Sequence, residues 1–349
     1  MRFRSLNRLI LICVFAPLVS IATVPDSLRS NFVSAFERDF NFGPFINHRI
    51  PTLTMRAPTG EKVIFRTNNN FIAGLRMHVF GMQLQVAASV NPGANSLSRY
   101  GQTNASELSF NYMSHKWFGH VNLFRYSGLW YRYSTENYLN KPFPSSKDLT
   151  FTSRSASATH LFNPKKFSMR APYSFMEHQI KSGGSALVRI NIDEFFLFGK
   201  NTLIAGKYAN TFKGLEQIKN IGFIGVGAAP GYSYNFIYGD FFLNGTIIAG
   251  PSLYWIRYKK AIGLSRYESQ FNFATDFGLA AGYNGERFFG GITWMANGFQ
   301  LKRGETRIFG NQNAFSVTAG FRLHEEGIFK KRIENILHEH HPKAEVGSK

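Results

Sequence analysis

Phe315-Ser316-Val317-Thr318-Ala319-Gly320-Phe321-Arg322-Leu323 alternates without a break. Phe315, Val317, Ala319, Phe321 and Leu323 share one face of an extended chain, and Ser316, Thr318, Gly320 and Arg322 share the other. A second run places Phe271, Phe273, Thr275, Phe277, Leu279, Ala281 and Tyr283 opposite Asn272, Ala274, Asp276, Gly278, Ala280, Gly282 and Asn284. A solvated sheet face is rich in Lys, Glu and Thr. Here it is Gly, Ala, Ser and Asn with isolated charges, which suits the crowded interior of a closed barrel whose apolar face meets lipid. Phe271, Tyr283, Phe288 and Trp294 are candidates for interfacial girdles.

Working outward, the same period places strands at 49–57, 63–79, 82–90, 104–113, 117–129, 149–162, 167–192, 221–237, 241–256, 270–283, 287–297 and 312–323. Tight turns at Gly81, Ser114–Lys116, Asn163–Lys166, Tyr238–Asp240 and Asn284–Glu286 alternate with longer polar connections at 91–103, 131–148, 195–219, 257–269 and 298–311. That alternation matches barrels with short periplasmic turns and long outer loops. The fold expected is therefore all-β: a transmembrane, antiparallel, up-and-down barrel of about twelve strands, both termini periplasmic. Segment 167–192 is too long for one strand and is expected to break near Ser174–Ser182 as an excursion into the lumen. In 149–162, Ser153, Ser155, Ser157 and Thr159 fall on the nominal lipid face.

Composition agrees. The 349 residues include 36 Phe, 15 Tyr, 4 Trp and 32 Gly with 17 % charged residues, which excludes a disordered chain and disfavours a long-helix protein. Arg2, Arg4 and Arg8 precede the apolar run Leu9–Val19 and then Ser20-Ile21-Ala22, the pattern of a secretory leader cleaved after Ala22. Cys13, the one cysteine, lies inside it. Later in the chain no apolar run reaches 18 residues, so no spanning helix is expected. Residues 23–48 are read as an N-terminal periplasmic segment, helical where Leu28, Phe32, Phe36 and Phe40 recur every fourth residue. Residues 49–323 are the barrel. Residues 324–349 are a periplasmic tail whose amphipathic helix carries Phe329, Ile333, Ile336 and Leu337.

The segments Asn163-Pro164-Lys165-Lys166-Phe167-Ser168-Met169-Arg170-Ala171 and Gln179-Ile180-Lys181-Ser182-Gly183-Gly184-Ser185 together resemble the signature block of an outer-membrane barrel family of unknown function from Bacteroidetes-type bacteria. Arg125-Tyr126-Ser127-Gly128 and Pro230-Gly231-Tyr232-Ser233-Tyr234 are similar to its other motifs. The resemblance spans residues 45–323; Pro172, His178, Ile180 and the tail after Leu323 depart from it. It implies the fold, the outer membrane of a Gram-negative bacterium, and assembly by the barrel-assembly machinery from an internal signal. It implies no activity.

Candidate chemistry is sparse. His178 with Ser182, Ser185 and Asn191 is the most enzyme-like cluster, a base within reach of hydroxyls, but no G-x-S-x-G elbow accompanies it. Packing of the excursion is the plainer reading. His338, His340 and His341 beside Glu339 have metal-ligand chemistry in what reads as a charged tail. Arg154, Arg189, Asp193, Asp276 and Arg322 are expected to point into the lumen and to pair there rather than line a conduit. Gly225 and Gly227 lack the helix of a dinucleotide site, and no cofactor is expected.

The net charge of +19 concentrates at Arg257-Tyr258-Lys259-Lys260 with Arg266, at Lys302-Arg303 with Arg307, and at Lys200, Lys207, Lys213 and Lys219. In outer loops and strand rims these fit either a generally cationic, soluble loop surface or contact with outer-membrane lipids, the phosphates of lipopolysaccharide in particular. Nucleic acid does not fit the compartment. The expected function is a non-enzymatic outer-membrane barrel with a structural, anchoring or small-solute role. The alternatives are a lipid or lipopolysaccharide hydrolase and a secreted soluble all-β binding module.

Overall fold

A strand with one apolar and one small polar face is satisfied only when its sheet curls so that each face meets its own medium and no edge is left open. The computed structural model describes residues 31–36, 39–68, 71–79 and 82–324. In chain order these form β1 (Val33–Ala35), β2 (Asp39–Arg56), β3 (Lys62–Thr67), β4 (Ile72–Val79), β5 (Met82–Ser89), α1 (Ala94–Tyr100), β6 (Asn104–Met113), β7 (Trp117–Tyr133) and β8 (Ser145–Leu161). There follow α2 (Arg170–Ser174), β9 (Glu177–Gln179), β10 (Gly183–Phe198), a 3-10 turn (Gly206–Tyr208), β11 (Ile218–Tyr238), β12 (Phe241–Lys260), β13 (Arg266–Asn284), β14 (Phe288–Arg303) and β15 (Thr306–His324). Thirteen strands make one antiparallel sheet, closed by β15 pairing with β2, while β1 and β9 form a separate ribbon.

The ring changes size along its axis. The lower half of β2 pairs with β4 and its upper half with β3. β3 then pairs directly with the upper part of β7, whereas β4 reaches β7 only through β5 and β6. Among the described residues the ring therefore has twelve strands at the end holding the termini and ten at the far end. The fork sits at Gly128, where the register of β7 slips and φ is +86°. A β-carbon there would strike the carbonyl of Gln102, so the position requires glycine. Asn68 N donates to Thr103 Oγ1 at 2.8 Å, Thr103 donates to Gly128 O, and Trp130 Nε1 donates to Thr67 O at 3.1 Å.

Inside and outside also exchange character along the axis. Phe42, Ile46 and Ile50 of β2 face out and Asn41 and Asn47 face in; above them Leu53 and Met55 are buried inside and Arg56 is exposed. β12 repeats the change, with Asn244, Thr246 and Ser252 inside below and Tyr254, Ile256 and Tyr258 inside above. The terminal half is thus an apolar belt around a polar lumen, rimmed by exposed Tyr238, Phe241, Tyr283 and Phe288. The far half is the reverse, a water-facing barrel around an apolar core. At about 3.3 Å per residue and a 40° tilt, a twenty-residue strand rises roughly 50 Å, twice the ~25 Å of an outer-membrane apolar band.

Several sequence expectations are corrected. The first barrel strand starts at Asp39, not 49, and where a helix is expected through Phe32 and Phe36 the short strand β1 lies between them. A spacing of four is a multiple of two, so those phenylalanines fit either period, and pairing with the edge of β9 decides. Segment 63–79 is two strands, and 167–192 is a loop, α2, β9 and the start of β10. Connections 257–269 and 298–311 shrink to 261–265 and Gly304-Glu305 because the strands run on past the belt. The faces of 149–162 are reversed, with Ser153, Ser155 and Ser157 lining the lumen. Arg154 therefore points outward and pairs with Glu194 at 3.1 Å on the neighbouring strand. The turn at Gly81, the leader and the tail beyond His324 lie outside the described residues.

Candidate functional site

The lumen is obstructed at the far end by an aromatic layer. Phe195 (β10) lies 4.9 Å from Phe151 (β8), 5.3 Å from Phe223 (β11) and 5.1 Å from Phe299 (β14), ring centre to ring centre. Phe223 and Phe299 meet at 4.6 Å, so the rings bridge opposite walls. Above them the 199–217 connection folds into the barrel mouth, burying Leu203, Ile204, Phe212 and Leu215 in the far-end core. It is tied to the 134–144 connection at Glu136, which accepts from Lys207 Nζ at 2.5 Å, Tyr208 OH at 2.6 Å and Tyr138 OH at 2.5 Å. Donation by Lys207, then by both tyrosines, lowers the Glu136 carboxyl from 4.5 to about 2. A depressed carboxyl contributes its stability above the unfolded value of about 4.5, and that contribution is lost as pH falls through about 2. Pepsin is therefore expected to spare 203–217 at pH 4 and cut it at pH 2, while Glu136→Gln is cut at both.

The terminal end is filled by residues 162–182. Glu177, fully buried, accepts from Ser168 Oγ and from Arg170 Nη1 at 3.0 Å, and lies 2.9 Å from His115 Nδ1 in the β6–β7 turn. Gln179 Oε1 accepts from Ser168 N at 2.8 Å and from Asn235 Nδ2 at 2.9 Å. Wall asparagines grip the plug: Asn41 donates to Phe175 O, Asn235 to Ser168 O and Asn284 to Glu177 O, each at 2.8 Å. The N-terminal strap lies across it. β1 pairs with β9, Phe32 sits 5.8 Å from Lys166 Nζ and 5.7 Å from Lys181 Nζ, and Arg322 covers Phe36 at 3.8 Å. Arg322, 8 % exposed, also donates to Phe175 O at 2.7 Å and to Asn284 and Gly285.

Between these closures lies a polar chamber of about 320 Å³. Arg189 donates to Asp276 at 2.8 Å and to Thr159 at 3.2 Å, and Asn191 donates to Asp193. Residues not singled out from sequence complete it. Arg49 Nη2 donates to Glu107, 1 % exposed, at 3.0 Å, and Gln83, Gln85, Asn111 and Asn122 line the same wall. The parity rule finds them: Glu107, Ser109 and Asn111 alternate with Leu108, Phe110 and Tyr112, and Arg76 lies between Leu75 and Met77. Asp276→Ala, which strands the Arg189 guanidinium, is expected to cost about 1–3 kcal/mol, read as a lower temperature for loss of the folded band on SDS gels.

The enzyme-like cluster does not assemble. His178 Nε2 lies 3.4 Å from Asp240 Oδ1, but the serine hydroxyls are committed to main chain. Ser182 Oγ accepts from Ile237 N at 2.9 Å; Ser185 Oγ accepts from Asn163 N at 2.9 Å and donates to Ala186 O at 2.6 Å. No hydrogen bond joins His178 to either serine among the described residues. Gly184 is as constrained, since a β-carbon would meet the Tyr232 hydroxyl. Among the described residues no group of His, Cys, Asp and Glu is arranged to hold a metal; His338, His340 and His341 lie outside them.

One arrangement of charge is continuous. Lys302 faces Arg307, Arg307 faces Arg56 and Arg56 faces Lys62 across four adjacent strands on the outer surface of the far half. The nearby turn carboxylates are otherwise engaged, Glu61 by Thr59 and Glu305 by Lys213 at 3.6 Å.

The family model described as Domain of unknown function (DUF4421) matches residues 24–323. No curated protein matches the chain. Among solved structures, the outer membrane protease OmpT of Escherichia coli is 9 % identical, with 87 % of this chain and 100 % of that chain covered and a TM-score of 0.37. The beta domain of the Bordetella autotransporter BrkA is 9 % identical (80 % and 98 % covered, TM-score 0.34). The Pseudomonas putida toluene transporter TodX is 6 % identical (80 % and 89 % covered, TM-score 0.28). These are likenesses to barrels and assign no activity.

Proposed function

The chain belongs to the family described as Domain of unknown function (DUF4421), and from there we propose a non-enzymatic outer-membrane barrel that is closed to through passage. The terminal end faces the periplasm, the apolar belt sits in the bilayer and the far half stands in the surface saccharide layer. The observation that carries this is the double obstruction of the lumen, by Phe195, Phe223 and Phe299 at one end and the Glu177-centred plug at the other. Liposomes carrying the refolded protein are expected to resist swelling in arabinose as well as protein-free ones. Swelling at a porin's rate overturns the reading.

The cationic row supplies the partner. Like charges directly opposed across strands repel, and the acidic groups of lipopolysaccharide offset that repulsion at up to about 1 kcal/mol per cation. Replacing Arg56, Lys62, Lys302 and Arg307 by Gln is expected to lower lipopolysaccharide retained on purification by about tenfold or more. Four Lys→Gln changes at Lys116, Lys141, Lys147 and Lys165 are the control and should leave it unchanged.

A further inference from the structure

The wall between β13 and β14 is incompletely zipped. Main-chain pairing runs from Asn284 opposite Phe289 to Thr275 opposite Gly298 and stops, although β13 continues to Arg266 and β14 to Arg303. Beyond that rung the strands are joined through side chains. Asn272 Nδ2 donates to Gln300 O at 2.7 Å, Lys302 N donates to Gln270 Oε1 at 2.9 Å, Gln270 Nε2 donates to Lys302 O, and Arg303 pairs with Glu268. An amide inserted between two strands spreads them and replaces a ladder of main-chain bonds with a few rotatable ones.

The foot of this seam meets the chamber. Ala274 and Phe299, the first residues past the last paired rung, both line it. The chamber wall from β15 through β2 to β6 carries polar groups in need of partners. Asn47, Arg49, Glu107, Gln312 and Ser316 line the chamber, and each carries a buried side-chain atom (Oδ1, Nε, Oε2, Nε2 and Oγ) with no hydrogen-bond partner among the described residues. They mix acceptors, donors and a hydroxyl, a costly set to bury unmatched. Charge is not what they offer, because Arg49, Arg76 and Arg189 are balanced by Glu107, Asp193 and Asp276, and Glu194 is paired with Arg154. The aromatic layer adds an apolar ceiling. A small pocket with a few convergent polar groups and an aromatic face is a binding site in form.

We infer that the chamber is a blind binding site for a small uncharged, hydroxyl-rich solute of saccharide size, entered sideways through the β13–β14 seam. The inference rests on the lumen being closed end to end. Failure of that reading shows as swelling or conductance, whereas failure of the inference shows in chemical access to the chamber.

Access is read with a single cysteine at Ser155, which lines the chamber; the only other cysteine is Cys13, and the unsubstituted chain gives the background. In refolded Ser155→Cys, iodoacetamide is expected to label the thiol. Asn272→Ala with Gln270→Ala should speed labelling about tenfold, since it removes the bonds that hold the seam. Ala274→Trp, which fills its foot, should slow labelling, and glucose should protect against it. Heat resistance of the folded band certifies each variant. Absence of labelling in the folded protein, rates indifferent to the seam variants, or rates raised instead by deleting strap residues 31–36, overturns lateral entry. Labelling unprotected by glucose overturns the ligand class.

Discussion

Glu177→Ala is expected to release the terminal plug. The carboxylate is fully buried and answers Ser168, Arg170 and His115 at once. Its removal leaves the largely buried Arg170 guanidinium facing a void, and removing one partner of a buried pair costs about 3–5 kcal/mol. The loss should appear as a lower conversion temperature of the folded band and as protease cleavage within 162–182, where the intact protein resists. Glu177→Gln keeps the shape without the charge and should fall between the two. Cleavage in the strap should follow, because β9 is the strand that β1 pairs with.

The second large effect is at the far end. Phe195→Ala removes a buried ring from the layer that bridges the walls, at about 3–5 kcal/mol, and Phe299→Ala removes a partly buried one at a smaller cost. The rings touch at 5.1 Å, so the double variant should cost less than the sum. Its functional signature differs from that of a wall mutation: the chamber extends upward to the 199–217 connection while the belt and its pairing stay intact. Phe195→Ala alone, away from the seam, should then speed iodoacetamide labelling of a chamber cysteine, whereas Phe299 lies at the seam's foot and its loss acts on both routes.

Much of this architecture was legible in the sequence. Period-2 runs such as 315–323 and 271–283 fix both the strand and its inward face, so Asp276 and Arg322 are found inside. Three features were not legible, for physical reasons. In 149–162 the small residues Ser153, Ser155 and Ser157 alternate with Arg154, Ala156 and Ala158, so each face mixes polar and small groups, neither is marked as lipid-facing, and the parity of Arg154 is not legible. Phe32, Phe36 and Phe40 fit a helical spacing as well as an extended one; pairing with β9 makes Val33–Ala35 a strand, and pairing with β15 places Phe40 in β2. The far-end core was hidden because the inward residues turn from polar to apolar above the belt. Leu203, Ile204, Phe212 and Leu215, spaced irregularly in a connection, show no period at all. Glu177 opens β9, a strand of three residues, too short for parity to carry information. The cluster of His178 with Ser182 and Ser185 was proximity in sequence; each hydroxyl is occupied by a main-chain bond.

The most direct measurement of the account is single-channel recording on the refolded protein in a planar bilayer. Closure by Phe195, Phe223 and Phe299 at one end and the plug at the other predicts no stepwise conductance for the unsubstituted chain. It predicts small steps only when Phe195→Ala and Phe299→Ala are combined with Glu177→Ala and with shortening of the 199–217 connection that fills the far mouth. Stable, uniform openings from the unsubstituted protein, at a size that passes sugars, would contradict it.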